Sequence, residues 1–223
     1  MKNLFFVKND FKKSYSQSGE DLICNLWLSG NMGYYVDVGA NHPITNNNTY
    51  LFYQRGWRGI NVEPDIDCYK LLLKKRSKDI NLHMGVGKTV TTKMLYTFDP
   101  NVYNTFSKRH AKVYQSLGYK LVKKHAIELR PLSYIFERYH VPSRFDLLSV
   151  DTEGYEMKTL SSIEWHKHRP KFIILETIKH KTLDKKIKEF SNYLYASNYL
   201  LFADTFINSI YISGEYKSIV TKR

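Results

Sequence analysis

The chain has 223 residues, enough for one α/β domain with a substantial core and marginal for two, so we expect a single domain over 1–223. Lysine and arginine total 34 against 21 acids, a net charge of +13 with 15% aromatic residues, which favours an anionic partner such as nucleic acid, an acidic membrane surface, a nucleotide-linked or phosphorylated sugar, or an acidic polysaccharide. No run approaches transmembrane length, the apolar stretch 4–7 is too short for a signal-peptide core, and Cys24 and Cys68 form no metal-ligand pair; a cytoplasmic protein in a reducing compartment is expected.

Residues 14–19 are polar and turn-like. Residues 20–29 then place Leu22, Ile23, Leu26 and Trp27 on one helical face, with Glu20 and Asp21 in the first turn, where negative charge suits the helix dipole. The segment from Tyr34 to Pro43 reads Tyr-Tyr-Val-Asp-Val-Gly-Ala-Asn-His-Pro. Tyr35, Val36 and Val38 give the β-branched and aromatic run of a buried strand, and Gly39 breaks it. Open α/β sheets bind ligands at the carboxyl ends of their strands, so this small-residue turn is the expected floor of a cofactor site. A dinucleotide fingerprint would carry three glycines. Here an acid stands before a single glycine and Asn41 follows Ala40. A carboxylate suits an ammonium group better than a pyrophosphate, which points to S-adenosylmethionine, with its amino-acid amine, sulfonium and ribose diol.

Residues 46–49 offer caps for a helix over 50–54 that Gly56 stops, with Trp57 anchoring the turn. Residues 59–64 read Gly-Ile-Asn-Val-Glu-Pro, a second strand ending in an acid about twenty residues after the first turn, the spacing at which a carboxylate accepts from ribose hydroxyls. Glu63 is the expected ribose ligand. Asp65 opens a helix with Ile66, Tyr69, Leu72 and Leu73 inward, a third strand follows over 80–86, and the turn at Gly87 is placed along the adenine edge. Residues 91–98 form a short strand. The stretch 99–125 then breaks the alternation, interleaving Lys108, Arg109, Lys112, Lys120, Lys123 and Lys124 with Tyr103, Phe106, Tyr114 and Tyr119. It is expected to be an acceptor-binding insertion that grips phosphates while stacking bases or sugar rings.

Residues 126–129 are strand-like and 132–139 form a helix after Pro131. The apolar strand 145–150 ends in Asp151-Thr152-Glu153-Gly154-Tyr155-Glu156, placing three acids at the cofactor end of the sheet; a helix N-terminus accounts for Glu156 better than for Asp151 or Glu153. Another strand, 172–175, ends in Glu176, with His180 and Lys181 just beyond. An amphipathic helix over 184–196, an antiparallel pair over 199–203 and 209–212, and a basic tail at 217–223 complete the chain.

These residues carry a family resemblance. Ser16-Gln17-Ser18-Gly19-Glu20-Asp21, Val36-Asp37-Val38-Gly39-Ala40-Asn41, Gly56-Trp57-Arg58-Gly59, Val62-Glu63-Pro64, Asp151-Thr152-Glu153-Gly154-Tyr155-Glu156 and Ile174-Leu175-Glu176 occur in an order that resembles the FkbM-type S-adenosylmethionine-dependent methyltransferases. The resemblance implies the α/β class I methyltransferase fold, a Rossmann-like three-layer sandwich around a mostly parallel seven-stranded sheet with an antiparallel C-terminal strand. It also implies methyl transfer to oxygen, often a sugar hydroxyl of a glycan, glycolipid or natural product, and it makes Glu20 and Asp21 cofactor contacts. The expected cofactor set is Glu20, Asp21, Asp37, Gly39, Ala40, Asn41, Glu63, Pro64 and Gly87.

Methyl transfer from a sulfonium needs alignment of the acceptor oxygen and removal of its proton. Asp151 and Glu176, at the ends of neighbouring strands, face the acceptor in this reading, either as a general base or as ligands, with Glu153, of a Mg²⁺ or Mn²⁺ ion; His180 is a further candidate base. The rival readings are a nucleic-acid ribose methyltransferase in which Lys158 and Lys181 join Asp151 and Glu176, and a non-catalytic binding module that retained the fold.

Overall fold

A computed structural model of the chain describes residues 13–28, 30–178 and 187–216. The elements are α1 (Glu20–Asn25), β1 (Tyr34–Val38), α2 (Tyr50–Gln54), β2 (Arg58–Val62), α3 (Ile66–Lys75), β3 (Ile80–Leu82), β4 (Gly85–Val86), β5 (Thr91–Asp99), a 3₁₀ turn (Asn101–Tyr103), α4 (Lys108–Ser116), β6 (Lys120–Arg130), α5 (Leu132–Arg138), β7 (Arg144–Val150), α6 (Glu156–Leu160), β8 (Arg169–Glu176), α7 (Ile187–Ala196), β9 (Tyr199–Asp204), β10 (Asn208–Ser213) and a second 3₁₀ turn (Gly214–Tyr216). Seven strands form the main sheet in the order β3-β2-β1-β7-β8-β10-β9, with β10 antiparallel to both neighbours. This is the sheet expected of the class I methyltransferase fold. Among the described residues no helix is long and apolar enough to cross a membrane.

The central strands are nearly continuous apolar runs because helices cover both faces. Alternation divides the core. Val36, Val38, Ile60 and Val62 pack with Ile135, Phe136, Phe190 and Leu194 of α5 and α7, whereas Tyr35, Leu147, Phe172 and Ile174 pack with Cys24 and Phe52 of α1 and α2. Asp37 follows the Tyr35 parity and points to this second layer, a placement that decides its role. The chain leaves β1 for β2 and β3 and returns to pair β7 on the other side of β1. Such a switch point opens a crevice at the carboxyl ends of the two central strands.

Beneath the crevice lies Arg76, fully buried just after α3. Its guanidinium pairs with Asp79 at 2.9 Å and donates to the Tyr35 hydroxyl, Thr49 Oγ1, Asn47 Oδ1 and the Pro43 carbonyl. One side chain thus ties α3, β1 and the loop that follows β1.

Several elements differ from the sequence expectation. The first helix ends at Asn25. The third strand is two pieces: β3 joins the main sheet, whereas β4 joins a second, three-stranded sheet in the order β4-β6-β5. The stretch expected as an irregular insertion over 99–125 belongs to a hairpin. β5 and β6 pair from Thr91↔Leu129 to Asp99↔Lys120, with α4 and the 3₁₀ turn at the tip. The strand expected over 126–129 is the end of β6, where Ile127 and Leu129 are buried against Leu95, Phe106 and Tyr155; the polar, lysine-rich residues before it mask the rest of the strand. Long-range pairing with β5 makes it a strand. His180, Lys181, the start of the helix expected at 184, and the basic tail at 217–223 lie outside the described residues.

Candidate functional site

A cavity of about 560 Å³ opens at the carboxyl ends of β1, β2, β7 and β8. Its floor is Val38, Gly39 and Val62, and its far wall is Met84, Gly85 and Val86. The 3₁₀ turn and Phe106 of the hairpin cover it, and Asp151, Thr152, Glu153 and Glu176 stand at the remaining side. The volume lies within the range of about 300–1,000 Å³ usual for small-molecule and cofactor sites.

Gly39 is required by the geometry. Its φ is +78°, and a Cβ there would stand 1.7 Å from the Asp151 carbonyl oxygen. The Gly39 and Ala40 amides both donate to the Val62 carbonyl, which curls the turn over β2. Asn41 follows with φ +48°, the left-handed conformation that asparagine tolerates better than most residues. The turn brings the Asn41 amide 2.7 Å from one Glu63 carboxylate oxygen, while the Asp65 amide donates to the other at 2.6 Å. Glu63 is thereby fixed at the cavity wall with lone pairs left for a diol.

Burial pushes the Glu63 carboxyl from its ordinary 4.5 up to about 8, against the pull of the Asp65 and Asn41 amides. Its folded value lies above its unfolded one. Between those values the native state therefore holds a proton that the unfolded chain has lost, and stability falls as pH rises, by at most about 1.4 kcal/mol per pH unit. In Glu63→Gln this component is absent. The loss of urea midpoint between about pH 5.5 and 7.5 is expected to be smaller in the variant than in the wild type, and equal losses would exclude a neutral Glu63.

The acids on the other side are set by β7, α6 and β8. Asp151, Glu153 and Glu176 each offer a carboxylate oxygen, and these atoms lie within 4.8 Å of one another. Glu153 has φ +50° and Gly154 φ +98°, a turn that folds the three acids together. The turn is strapped twice. The buried Glu156 accepts from the Gly154 amide at 2.7 Å and from Thr152 Oγ1, and the hairpin adds Thr105 Oγ1 donating to the Glu153 carbonyl and the Tyr114 hydroxyl donating to its carboxylate. Burial, together with the charges of Glu176, Asp151 and Glu156, holds the Glu153 carboxyl well above the usual carboxylate range.

Of the expected cofactor residues, Gly39, Asn41, Glu63 and Pro64 line the cavity, and Asp37, Ala40, Glu20, Asp21 and Gly87 do not. Asp37 is buried and accepts from Thr49 Oγ1 at 2.7 Å and from Asn47 Nδ2 at 3.3 Å; burial raises its carboxyl against these bonds and the Arg76 charge. It shapes the turn from below. Asp21 accepts from Ser14 Oγ, Ser16 Oγ and the Tyr15 amide, closing the N-terminal segment onto itself. Glu20 accepts from Thr205 Oγ1 and Asn208 Nδ2. Burial would raise its carboxyl, but these bonds outweigh burial and leave it below its ordinary value. Gly87 donates its amide to the Arg130 carbonyl in the second sheet, and Gly85 and Val86 stand at the cavity in its place.

The sequence reading missed Gln17, His42, Thr45, Asn46 and Asn101 as lining residues. Gln17 belongs to the Ser16–Asp21 motif, whose acids seat it at the rim. Asn101 donates to Asn41 Oδ1 at 3.1 Å, so the hairpin tip is fastened to the turn after β1.

The strand order and the flush glycine turn at the end of β1 are those of the class I S-adenosylmethionine-dependent methyltransferase fold. The chain belongs to the FkbM methyltransferase family: the model of the Methyltransferase FkbM domain matches residues 37–201. No curated protein matches the chain. Among solved structures it is similar to a TehB-like SAM-dependent methyltransferase from Corynebacterium glutamicum ATCC 13032 Kitasato, with a TM-score of 0.46, 9% identity and 87% of each chain covered. It is also similar to the N-terminal domain of human METTL16, with a TM-score of 0.41, 11% identity, and 87% of this chain and 67% of that chain covered.

Proposed function

We propose that this methyltransferase moves the methyl group of S-adenosylmethionine to a sugar hydroxyl of a glycan, glycolipid or glycosylated natural product, in a reducing, cytoplasmic setting. The observation that carries the reading is the group of Asp151, Glu153 and Glu176, whose ligand atoms lie within 4.8 Å of one another beside the cavity. Adjacent strands are about 4.8 Å apart, so Glu63 at the end of β2 and Glu176 at the end of β8, three strands over, stand about 14 Å apart, leaving room for the donor at one end and an acceptor at the other.

The donor is already activated, so the chain must align the acceptor and take its proton. Glu63 accepts from the ribose hydroxyls, and the Gly39 turn lets the donor approach the backbone closely. Asp151 accepts the hydroxyl proton as the oxygen–methyl bond forms and the sulfonium keeps the electron pair of the broken carbon–sulfur bond. Glu153, whose carboxyl is shifted toward its neutral form, hydrogen-bonds a neighbouring hydroxyl and orients the ring. The three oxygen donors also fit Mg²⁺ or Mn²⁺, and a divalent ion held there would lower the pKa of a bound hydroxyl.

The test is incubation of the purified chain with S-adenosylmethionine and a panel of sugars, with Mg²⁺ or a chelator, reading S-adenosylhomocysteine and locating the methyl group by mass spectrometry and NMR. Methyl on a sugar oxygen is expected. Transfer to amines or thiols but to no sugar would overturn the acceptor class, and a chelator without effect would remove the metal.

A further inference from the structure

The hairpin of β5 and β6 is strongly basic. Residues 91–130 hold eight lysines and arginines against two acids, +6 of the chain's +13. Among the described residues, only Arg130 of these cations makes an ion pair, with Glu128. Lys108, Arg109 and Lys112 are exposed on one side of α4, and Ala111 and Tyr114 are buried on the other. The first turn of α4 carries no acid, so Lys108 and Arg109 sit where the helix dipole disfavours them. This arrangement opposes helix stability and is continuous with the acceptor side, because the buried side of α4 reaches the acid turn through Tyr114 and through His110, which lies against Gly154.

The aromatic residues of the hairpin are less exposed than these charges: Phe98 and Tyr114 are buried, and Tyr96, Tyr103, Phe106 and Tyr119 are half-buried. Tyr103, Tyr114 and Tyr119 pack on one another, and the Lys124 ammonium lies over the Tyr96 ring at 5.6 Å. Of the rings expected to stack on the acceptor, Tyr103 and Phe106 line the cavity, whereas Tyr114 and Tyr119 pack with Tyr103 in the hairpin and stand apart from the exposed cations of α4. Among the described residues, no ring is exposed beside Lys108, Arg109 and Lys112 themselves for successive bases to stack on, the rings that reach open space being inside the cavity. A mainly lysine surface offers point charges without fixed geometry, which suits carboxylates spaced along a flexible sugar polymer.

We propose that the outer face of the hairpin docks the anionic part of the acceptor, a carboxylate-bearing glycan, with the sugar to be methylated in the cavity and its charged neighbours on Lys108, Arg109, Lys112 and Lys124. This rests on the sugar-hydroxyl reading above and narrows its substrate class.

The test uses the full chain and its Lys108→Glu/Arg109→Glu/Lys112→Glu variant, in which acids in the first turn favour the helix. Binding of polygalacturonate, neutral dextran and a single-stranded RNA oligonucleotide is measured at low and high salt, with S-adenosylmethionine binding measured in parallel. Expected are salt-sensitive binding of polygalacturonate, weakened at least about tenfold in the variant, no binding of dextran, and unchanged S-adenosylmethionine affinity. Polygalacturonate binding that is absent, or equal in both proteins, overturns the inference, as does RNA binding as tight as or tighter than that of the glycan. If the variant misfolds, Lys108→Ala/Arg109→Ala/Lys112→Ala replaces it under the same criteria. Sugar methylation that persists while the polygalacturonate result is negative sinks this inference alone; loss of S-adenosylmethionine binding by the wild type would instead sink the underlying function.

Discussion

Replacing Asp151 with asparagine should lower methyl transfer by about 10²–10⁴-fold while S-adenosylmethionine binding changes little. Asp151 follows β7 directly, its amide held by the Val38 carbonyl at 3.0 Å, so its backbone position depends on the sheet and not on its side chain. Asparagine keeps the volume and removes the base. Burial, with the charges of Glu176, Asp151 and Glu156, holds Glu153 toward its neutral form, and Asp151 is the carboxylate proposed as the base. Single-turnover transfer and calorimetric binding on the same preparation separate the two effects. Transfer within about threefold of wild type would remove Asp151 from the chemistry, and loss of binding with transfer would make it a donor ligand instead.

Arg76→Met should cost about 3–5 kcal/mol of folding stability, as expected when one partner of a buried ion pair is removed. Both the Arg76 and Asp79 side chains are fully buried, and the Arg76 charge also favours the ionised form of buried Asp37. A loss of that size is a large part of the 5–15 kcal/mol, roughly, that holds a domain together. It should appear as a lower urea midpoint with an unchanged slope. Because Arg76 also holds Pro43, Asn47 and Thr49, the loop bearing Thr45 and Asn46 loosens with it, and donor affinity should fall even where the variant remains folded. A loss under about 1 kcal/mol would show that the remaining donors to Asp79, from Tyr35, Gly59 and Asn61, suffice without the guanidinium.

The local pattern of the chain determined the main sheet. β-branched and aromatic runs closed by Gly39, by Glu63-Pro64 and by the acids after β7 and β8 are readable over a few residues, because burial on both faces demands apolar side chains and a sharp turn demands a glycine. The same local chemistry placed Gly39, Asn41, Glu63, Asp151, Glu153 and Glu176 at one end of that sheet. Which acids face the cavity was decided only by tertiary structure. Asp37 and Glu63 share a strand parity but not a level: Asp37 lies inside β1 opposite Asn61 and is covered by Thr49 and Asn47, whereas Glu63 stands just beyond the end of β2, at the cavity wall. Glu20 is satisfied by Asn208, 188 residues away, a partner no spacing rule reaches. The hairpin is the same case: β5 and the end of β6 over 126–129 are readable as strands, but the lysine-rich start of β6 is not, and its register with β5 fixes where its charges and its rings point. Composition sets what a side chain can do, and the donors and charges brought to it by distant chain segments decide whether it holds the fold or meets the substrate.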